Sequence, residues 1–508
     1  MNPSLFSSSR GTRAIGIVGT LLLAGGATIF AGGLVVTKGF PPQYKPPQFE
    51  NAENHLQVRF LPAARDWERM DVYVPKSSKE ERMPCIVFFY GGGWSGKVTW
   101  GKDNFKALLD HGYVVAMPDY VLGAQQPVPM AVWDGAAAIR YLRANAAKYR
   151  IDPERIAVMG LSAGGWLVQY LAPSDSSTLC VQGKKGESQA FFPMLEPHPA
   201  YANVPATVSA FVTDWGAGKL TKGGGIVHGD RWLGPNDPPL FTCVTVPETT
   251  LTLGVQAYRN AGAVVEVAHV GLKSSTDELV GGKNPNDFGH GLIGVTNAKY
   301  LTKDKTGKII TFGERTLQFL DEYVKQPKRA SSPEIMPHGG PISGPTTVVL
   351  RSIHPTAKMV YTLDGSSPDE RSSEYSGPIT VKPGDALKTI AVKPGLKPSA
   401  IATADFTNAP CLAPVITTTE GVFRAKVKQP FSIEFKAKCQ REVTWHLSGK
   451  ITPAPPKGTA GWLSLDSKTG VLSGTPIAPG VSVLIVAVIR VDGTAIQTDA
   501  RSVIVVVE

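Results

Sequence analysis

Between residues 50 and 328, short apolar runs alternate with longer stretches in which apolar positions recur every three or four residues. The runs at 84–89, 113–117 and 156–159 are apolar almost throughout, as strands covered on both faces require. Further strand candidates lie at 207–212, 240–246 and 263–270. Phe105, Leu108 and Leu109 mark one helix face, and Val132, Ala136, Ile139, Leu142 and Ala146 carry the helical period across 130–148. A closing helix is expected at 315–324. This alternation predicts an α/β fold, with a mostly parallel sheet covered by helices on both faces. At 326–333 the helical period stops, and Pro, Gly, Ser and Thr dominate. Period-two runs at 346–350, 359–363 and 389–392 follow, separated by turn signals such as Asp364-Gly365-Ser366-Ser367-Pro368. A linker near 408–413 introduces a second β stretch that ends in strongly β-prone runs at 481–489 and 502–507. Two small all-β sandwich domains are therefore expected after the α/β region.

The length, 508 residues, is too great for one core and fits two to four domains. Charged residues make up 19% and hydrophobic ones 42%, which excludes a disordered chain. The net charge of +10 favours anionic surfaces, but no nucleic-acid motif accompanies it, so the charge reads as solvated surface and no nucleic-acid partner is expected. Arg10 and Arg13 precede an uncharged apolar run at 14–36. Two readings stand: a signal peptide cut near Ala27 or Ala31, or an uncleaved signal anchor with its basic end in the cytoplasm. Either exports the body of the protein, and the Pro-rich segment 39–49 reads as a spacer. The five cysteines, Cys85, Cys180, Cys243, Cys411 and Cys439, are too few for a disulfide scaffold and lack zinc spacing. Cys411 and Cys439 could pair in an oxidising compartment. No feature fixes an oligomeric state.

The candidate chemistry centres on Gly160-Leu161-Ser162-Ala163-Gly164, which follows a strand candidate and opens a helical pattern. Strand, G-x-S-x-G and helix in that order describe a nucleophile elbow, in which a strained turn lifts the serine hydroxyl clear of the sheet. The bland alternative, a helix-capping serine in a Gly-rich turn, does not need that flanking context. Serine needs a base, an acid that orients the base, and donors for an oxyanion. The candidate base is His290, in the glycine-flanked loop Phe288-Gly289-His290-Gly291. His269 sits in a strand pattern and reads as structural, and His228 is a weak pocket-rim candidate. The acid should follow the strand at 240–246, where Glu248 stands, with Asp214 in reserve; Asp287 is too near His290 in sequence. Backbone donors are expected from Gly92 and Gly93, after the strand at 84–89, and from Ala163.

Tyr90-Gly91-Gly92-Gly93-Trp94, Asp152-Pro153-Glu154-Arg155-Ile156 and the Ser162 elbow together resemble α/β-hydrolases of the esterase/lipase type. Acetyl-xylan and feruloyl-type carbohydrate esterases resemble the chain most, over roughly residues 55–325. The resemblance implies the α/β-hydrolase fold and serine catalysis without cofactor or metal. The chain departs from that pattern at Tyr90, where a histidine is usual, at Glu248, where aspartate is usual, and in a longer insertion at 271–287. Tyr361-Thr362-Leu363-Asp364-Gly365 with Tyr375-Ser376-Gly377-Pro378 resembles the sandwich appended to chitobiase-type enzymes. Gly461-Trp462-Leu463 with Gly470-Val471-Leu472-Ser473-Gly474 resembles immunoglobulin-like modules of bacterial surface proteins. Arg424, Lys426 and Lys428 would share one strand face there.

The expected organisation is thus a signal and spacer at 1–44, a catalytic domain at 45–328, and sandwiches at 332–408 and 411–508. The substrate class is an ester, with an acylated polysaccharide favoured by the resemblance and the appended modules. A lipid or small-ester carboxylesterase and a prolyl-type peptidase are the enzymatic rivals, and an inert surface adhesion protein is the rival of another class. Because the candidate site lies upstream of the composition break, the sandwiches are expected to contribute little to its geometry.

Overall fold

The computed structural model of the chain describes residues 45–508 apart from 62–67, 95, 100, 123–127, 173–177, 182–189, 194–198, 202, 215–233, 246–252, 274–277, 281–293, 297–299, 338, 409–413, 419–420, 440–441, 451–460 and 493–494. Of the first 44 residues it describes three short antiparallel strands, Leu21–Leu22, Ala27–Phe30 and Leu34–Thr37, the last paired with Lys97–Thr99. No helix among the described residues is long and apolar enough to cross a membrane.

Eight strands form the main sheet: β1 (Ala52–Arg59), β2 (Arg69–Pro75), β3 (Met83–Phe89), β4 (Val114–Pro118), β5 (Ile151–Leu161), β6 (Phe211–Asp214), β7 (Leu240–Thr245) and β8 (Val265–Val270). Their order across the sheet is 1-2-4-3-5-6-7-8. Only β2 runs antiparallel to its neighbours in the centre, and β3 to β8 are mutually parallel. β3 and β4 are buried at every position, which is why they read as unbroken apolar runs rather than alternating ones. Among the described residues five helices connect and cover the sheet: α1 (Lys102–Asp110), α2 (Val128–Ala144), α3 (Ala163–Leu171), α4 (Leu253–Asn260) and α5 (Phe312–Leu320).

Some elements differ from the sequence pattern for identifiable reasons. β1 is only partly buried, and Gln57, at φ 54°, bulges it between His55 and Val58. The bulge breaks the two-residue period, so β1 leaves little trace in the sequence. The strand expected at 207–212 is regular only from Phe211, although Ser209 already donates to the Ile156 carbonyl at 2.8 Å. The closing helix starts before 315 because Thr311 and Glu314 form a reciprocal capping box, and it ends in a π turn at Asp321–Lys325.

Beyond the hydrolase-like sheet lie two further buried clusters. Ile335, Val348, Leu350, Val381, Leu387 and Phe406 form the first. Phe435, Trp445, Leu472, Leu484, Val486 and Val503 belong to the second. The basic stripe does not form: its strand, Val422–Ala425, ends before Lys426, and Lys428 sits in a turn at φ 60°. Three side chains on one face would need the extended backbone to continue through 428, and it does not.

The sandwiches are docked. Glu154, near the start of β5, accepts from His354 Nδ1 at 2.9 Å and pairs with Lys393. His354 Nε2 in turn accepts the Ser331 N–H at 2.9 Å. Glu334, 2% exposed, lies 4.0 Å from Arg140 of α2 and 3.5 Å from Arg351. The seam is polar, as inter-domain seams usually are; Arg140, Glu334 and His354 are buried in it, and Glu154, Lys393 and Arg351 are half-buried. It also encloses a cleft of about 280 Å³ lined in part by Glu154, Tyr323, His354 and Lys397. The second sandwich docks through its strand Ala495–Val507. Val503, Val505 and Val507 face its own core, whereas Ile504 and Val506 pack into the hydrophobic cluster of the main sheet.

Candidate active site

β5 ends at Leu161 and α3 begins at Ala163, so Ser162 alone makes the turn between them, at φ 52° and ψ −114°. An L-residue with a side chain rarely adopts this conformation, and it persists only where surrounding packing imposes it. Two glycines do so. A Cβ on Gly160 would lie 2.1 Å from the Gly164 carbonyl oxygen. A Cβ on Gly164 would lie 2.1 Å from the Phe89 oxygen and 2.6 Å from the Tyr90 oxygen. The strand, the helix and the end of β3 thus meet backbone to backbone, which no other residue type permits.

The glycine loop after β3 abuts this turn. A Cβ on Gly91 would come within 2.9 Å of the Leu161 oxygen and 3.0 Å of the Ser162 Cβ. Gly91 is locked to Val98 by a reciprocal pair of backbone hydrogen bonds, at 2.8 and 3.0 Å. Gly92, Gly93 and Trp94 then take φ of 122°, 59° and 64°. Ala163, 4% exposed, opens α3, where the first backbone N–H groups lack partners within the helix. Gly91 therefore packs on the Ser162 turn from one side, with Gly92 and Gly93 following it in the loop, and Ala163 follows Ser162 directly.

Residues 70–192, which contain both the glycine loop and the elbow, match the BD-FAE family model; residues 337–403 match the chitobiase/beta-hexosaminidase C-terminal domain and 413–508 an Ig domain. The first region is an α/β-hydrolase domain. The chain is similar to the carboxylesterase NlhH of Mycobacterium tuberculosis, at 38% identity over 103 residues, or 20% of this chain and 32% of the relative. A probable isoprenylcysteine alpha-carbonyl methylesterase of Arabidopsis thaliana is 35% identical over 97 residues, 19% of this chain and 20% of the relative. The chain therefore spans a third or less of the length of these curated relatives. Among solved structures, a truncated carbohydrate esterase from gut microbiota overlays with a TM-score of 0.36 at 20% identity, covering 44% of this chain and 89% of that one. The Thermogutta terrifontis esterase Est2 gives 0.32 at 21% identity, covering 44% and 82%.

Within the α/β-hydrolase domain, His290, Glu248, His228 and Asp287 lie outside the described residues. Asp214 is the last residue of β6, level with Leu161 across the ladder, and its side chain is outside the description. His269 is exposed on β8. Cys85 is buried in β3, and burial pushes its thiol well above the usual range, as befits an inert packing residue. Of the other cysteines, Cys243 and Cys439 are half-buried, and Cys411 lies outside the described residues. No cluster of metal-ligating side chains occurs among the described residues.

The sequence pattern did not reveal what stands behind the glycine loop. Tyr90 and Tyr120 are both fully buried and stack with centroids 4.5 Å apart. The Tyr120 hydroxyl donates to the Tyr90 carbonyl at 2.6 Å. Lys97 and Asp119 form a buried ion pair at 2.6 Å, and the Lys97 ammonium lies 4.9 Å from the Tyr90 ring centroid. Burial, and then the Asp119 carboxylate beside it, push the Tyr90 hydroxyl far above its ordinary range, so it stays protonated. The available signal was Asp119-Tyr120 directly after a buried strand, two polar-tipped residues where the chain leaves the core.

Proposed function

We propose that the chain is an exported serine ester hydrolase working through an acyl-enzyme. The strained Ser162 turn with the glycine loop packed on it carries this reading, because that arrangement serves nucleophilic attack and oxyanion binding and has no evident packing advantage. Ser162 attacks the ester carbonyl while His290 takes its proton. Glu248 holds the imidazole and stabilises its charged form, with Asp214 as the alternative acid. The N–H groups of Gly92, Gly93 and Ala163 receive the developing oxyanion. Collapse of the tetrahedral adduct expels the alcohol, protonated by His290, and water attacks the acyl-Ser162 by the same path reversed. The similarity to a carboxylesterase supports the reaction class.

An acylated polysaccharide is the proposed substrate. Its support is the BD-FAE match together with an appended domain of the chitobiase/beta-hexosaminidase type. Export, by a cleaved signal or with retention as an anchor, is supported by the basic flank and apolar run at 14–36. The test is fluorophosphonate labelling and turnover of acetyl, feruloyl and longer-acyl esters by the exported portion and by Ser162→Ala. Labelling and turnover that vanish in Ser162→Ala support the proposal. A parent protein that neither labels nor turns over any ester leaves the inert adhesion reading.

A further inference from the structure

We propose that Tyr120 is a positioning residue for the oxyanion-binding loop, acting through the Tyr90 carbonyl; this rests on the esterase reading above. The Tyr90 oxygen belongs to the peptide unit that also carries the Gly91 N–H, and a peptide unit is planar. The Tyr120 hydroxyl grips that oxygen at 2.6 Å, and the Gly91 N–H is gripped by the Val98 carbonyl at 2.8 Å. With both ends held, the plane is set. The following peptide, which carries the Gly92 N–H, is held through its Gly91 oxygen by the Val98 N–H at 3.0 Å, and Gly92 and Gly93 then take φ of 122° and 59°. Oxyanion donors are effective only when they are aimed before the charge develops. The Gly92 and Gly93 amides are therefore aimed from two consecutive anchored peptides, the first of which Tyr120 holds.

The same carbonyl faces the other half of the site. It is one of the atoms that a Cβ on Gly164 would strike, at 2.6 Å, so it packs directly on the start of α3 that carries Ala163. Tyr120 thus braces the contact between the two donor groups. The rest of the cluster keeps Tyr120 in place. Its ring stacks on Tyr90 at an interplanar angle of 20°, and the Trp94 ring meets its edge at 6.0 Å. The buried Lys97–Asp119 pair adjoins the stack, with the Lys97 ammonium 4.9 Å from the Tyr90 ring centroid. Neither the hydroxyl nor the carbonyl reaches water, since both residues are fully buried, and an unmade bond there leaves an unsatisfied buried acceptor.

The experiment compares parent and Tyr120→Phe in the exported portion of the full chain, using p-nitrophenyl acetate and a trifluoromethyl ketone that forms a tetrahedral adduct with serine. Active-site titration corrects for unfolded protein. The expected result is a kcat about tenfold lower, smaller than the loss of a whole oxyanion donor, with KM within twofold. Ketone affinity should weaken in parallel with kcat. A packing defect alone would lower the titratable fraction or raise KM without that parallel. A folded variant with kcat and ketone affinity within twofold of the parent overturns the proposal. If Tyr120→Phe does not fold, 3-fluorotyrosine at position 120 keeps the stack and sharpens the donor. Ketone affinity should then shift at least twofold relative to KM, and no shift overturns the proposal. An inactive, unlabelled parent would instead sink the esterase reading itself.

Discussion

At the Ser162 end of β5, backbones meet so closely that Gly160 and Gly164 leave no room for a methyl group. At the Glu154 end, about 25 Å away by strand rise, the chain meets its neighbour through charged side chains. The first end is held by shape, which is indifferent to pH and salt. The second is held by Glu154, His354, Lys393, Glu334, Arg140 and Arg351, whose contributions depend on protonation and on being kept from water. One strand therefore joins a region that resists substitution to a region that resists solvent.

The sharpest way to break this comparison is Gly164→Ala. Its new Cβ would meet backbone oxygens that cannot step aside. Loss on the order of 4 kcal/mol of stability is expected, read by chemical denaturation, with ester turnover lost together with the fold. Near-parental stability would remove shape as the explanation of the elbow. Glu334→Gln comes next. It leaves the guanidinium groups of Arg140 and Arg351 facing a neutral partner in a buried site, and a cost of about 3 kcal/mol is expected. Turnover of a small soluble ester at low temperature should stay near the parent's, since the catalytic end is remote.

Acidification separates the two ends more gently. Burial, foremost, lowers the His354 pKa below its ordinary 6.5, against the opposing pull of Glu154 and with Lys393 and Arg143 adding to the decrease. The folded protein therefore binds this proton less readily than the unfolded chain. Stability from this site is fully present above about pH 6.5 and falls as the pH drops from there towards the lowered folded value. A protonated ring could not accept the Ser331 N–H. Denaturation midpoints measured across pH 7.5 to 5 should decline in the parent, and less steeply in His354→Asn. An identical decline in both would clear His354 of the effect. The smallest change is expected from Arg424→Ala. Its pair with Glu508 is 70% and 57% exposed, so stability should move by less than about 0.5 kcal/mol.

What the sequence revealed follows the same division. Ser162, Gly160, Gly164 and the glycine loop were legible because steric demands fix residue identity at fixed spacing along the chain. β3 and β4 were legible because burial on both faces leaves only apolar choices. The seam was not. Glu154 and His354, or Arg140 and Glu334, are far apart in sequence, and each alone reads as an ordinary surface charge. Tyr120 was hidden for the same reason, since nothing local tells a phenol that bonds to a distant carbonyl from one that fills a core. The expectation that the sandwiches contribute little to the site's geometry came from composition, which records where a pattern changes but not what is packed across the change.

Ile504 and Val506 give the docked strand a second apolar face, and that face has a consequence in time. During synthesis the hydrolase domain emerges long before residue 504, so the patch those two side chains cover stays wet while nearly all of the two sandwich domains is still to come. Until then it attracts other nascent chains or a holding factor, as any uncovered apolar surface does. The completed strand therefore also ends the interval in which the newborn protein is most liable to stick to its neighbours.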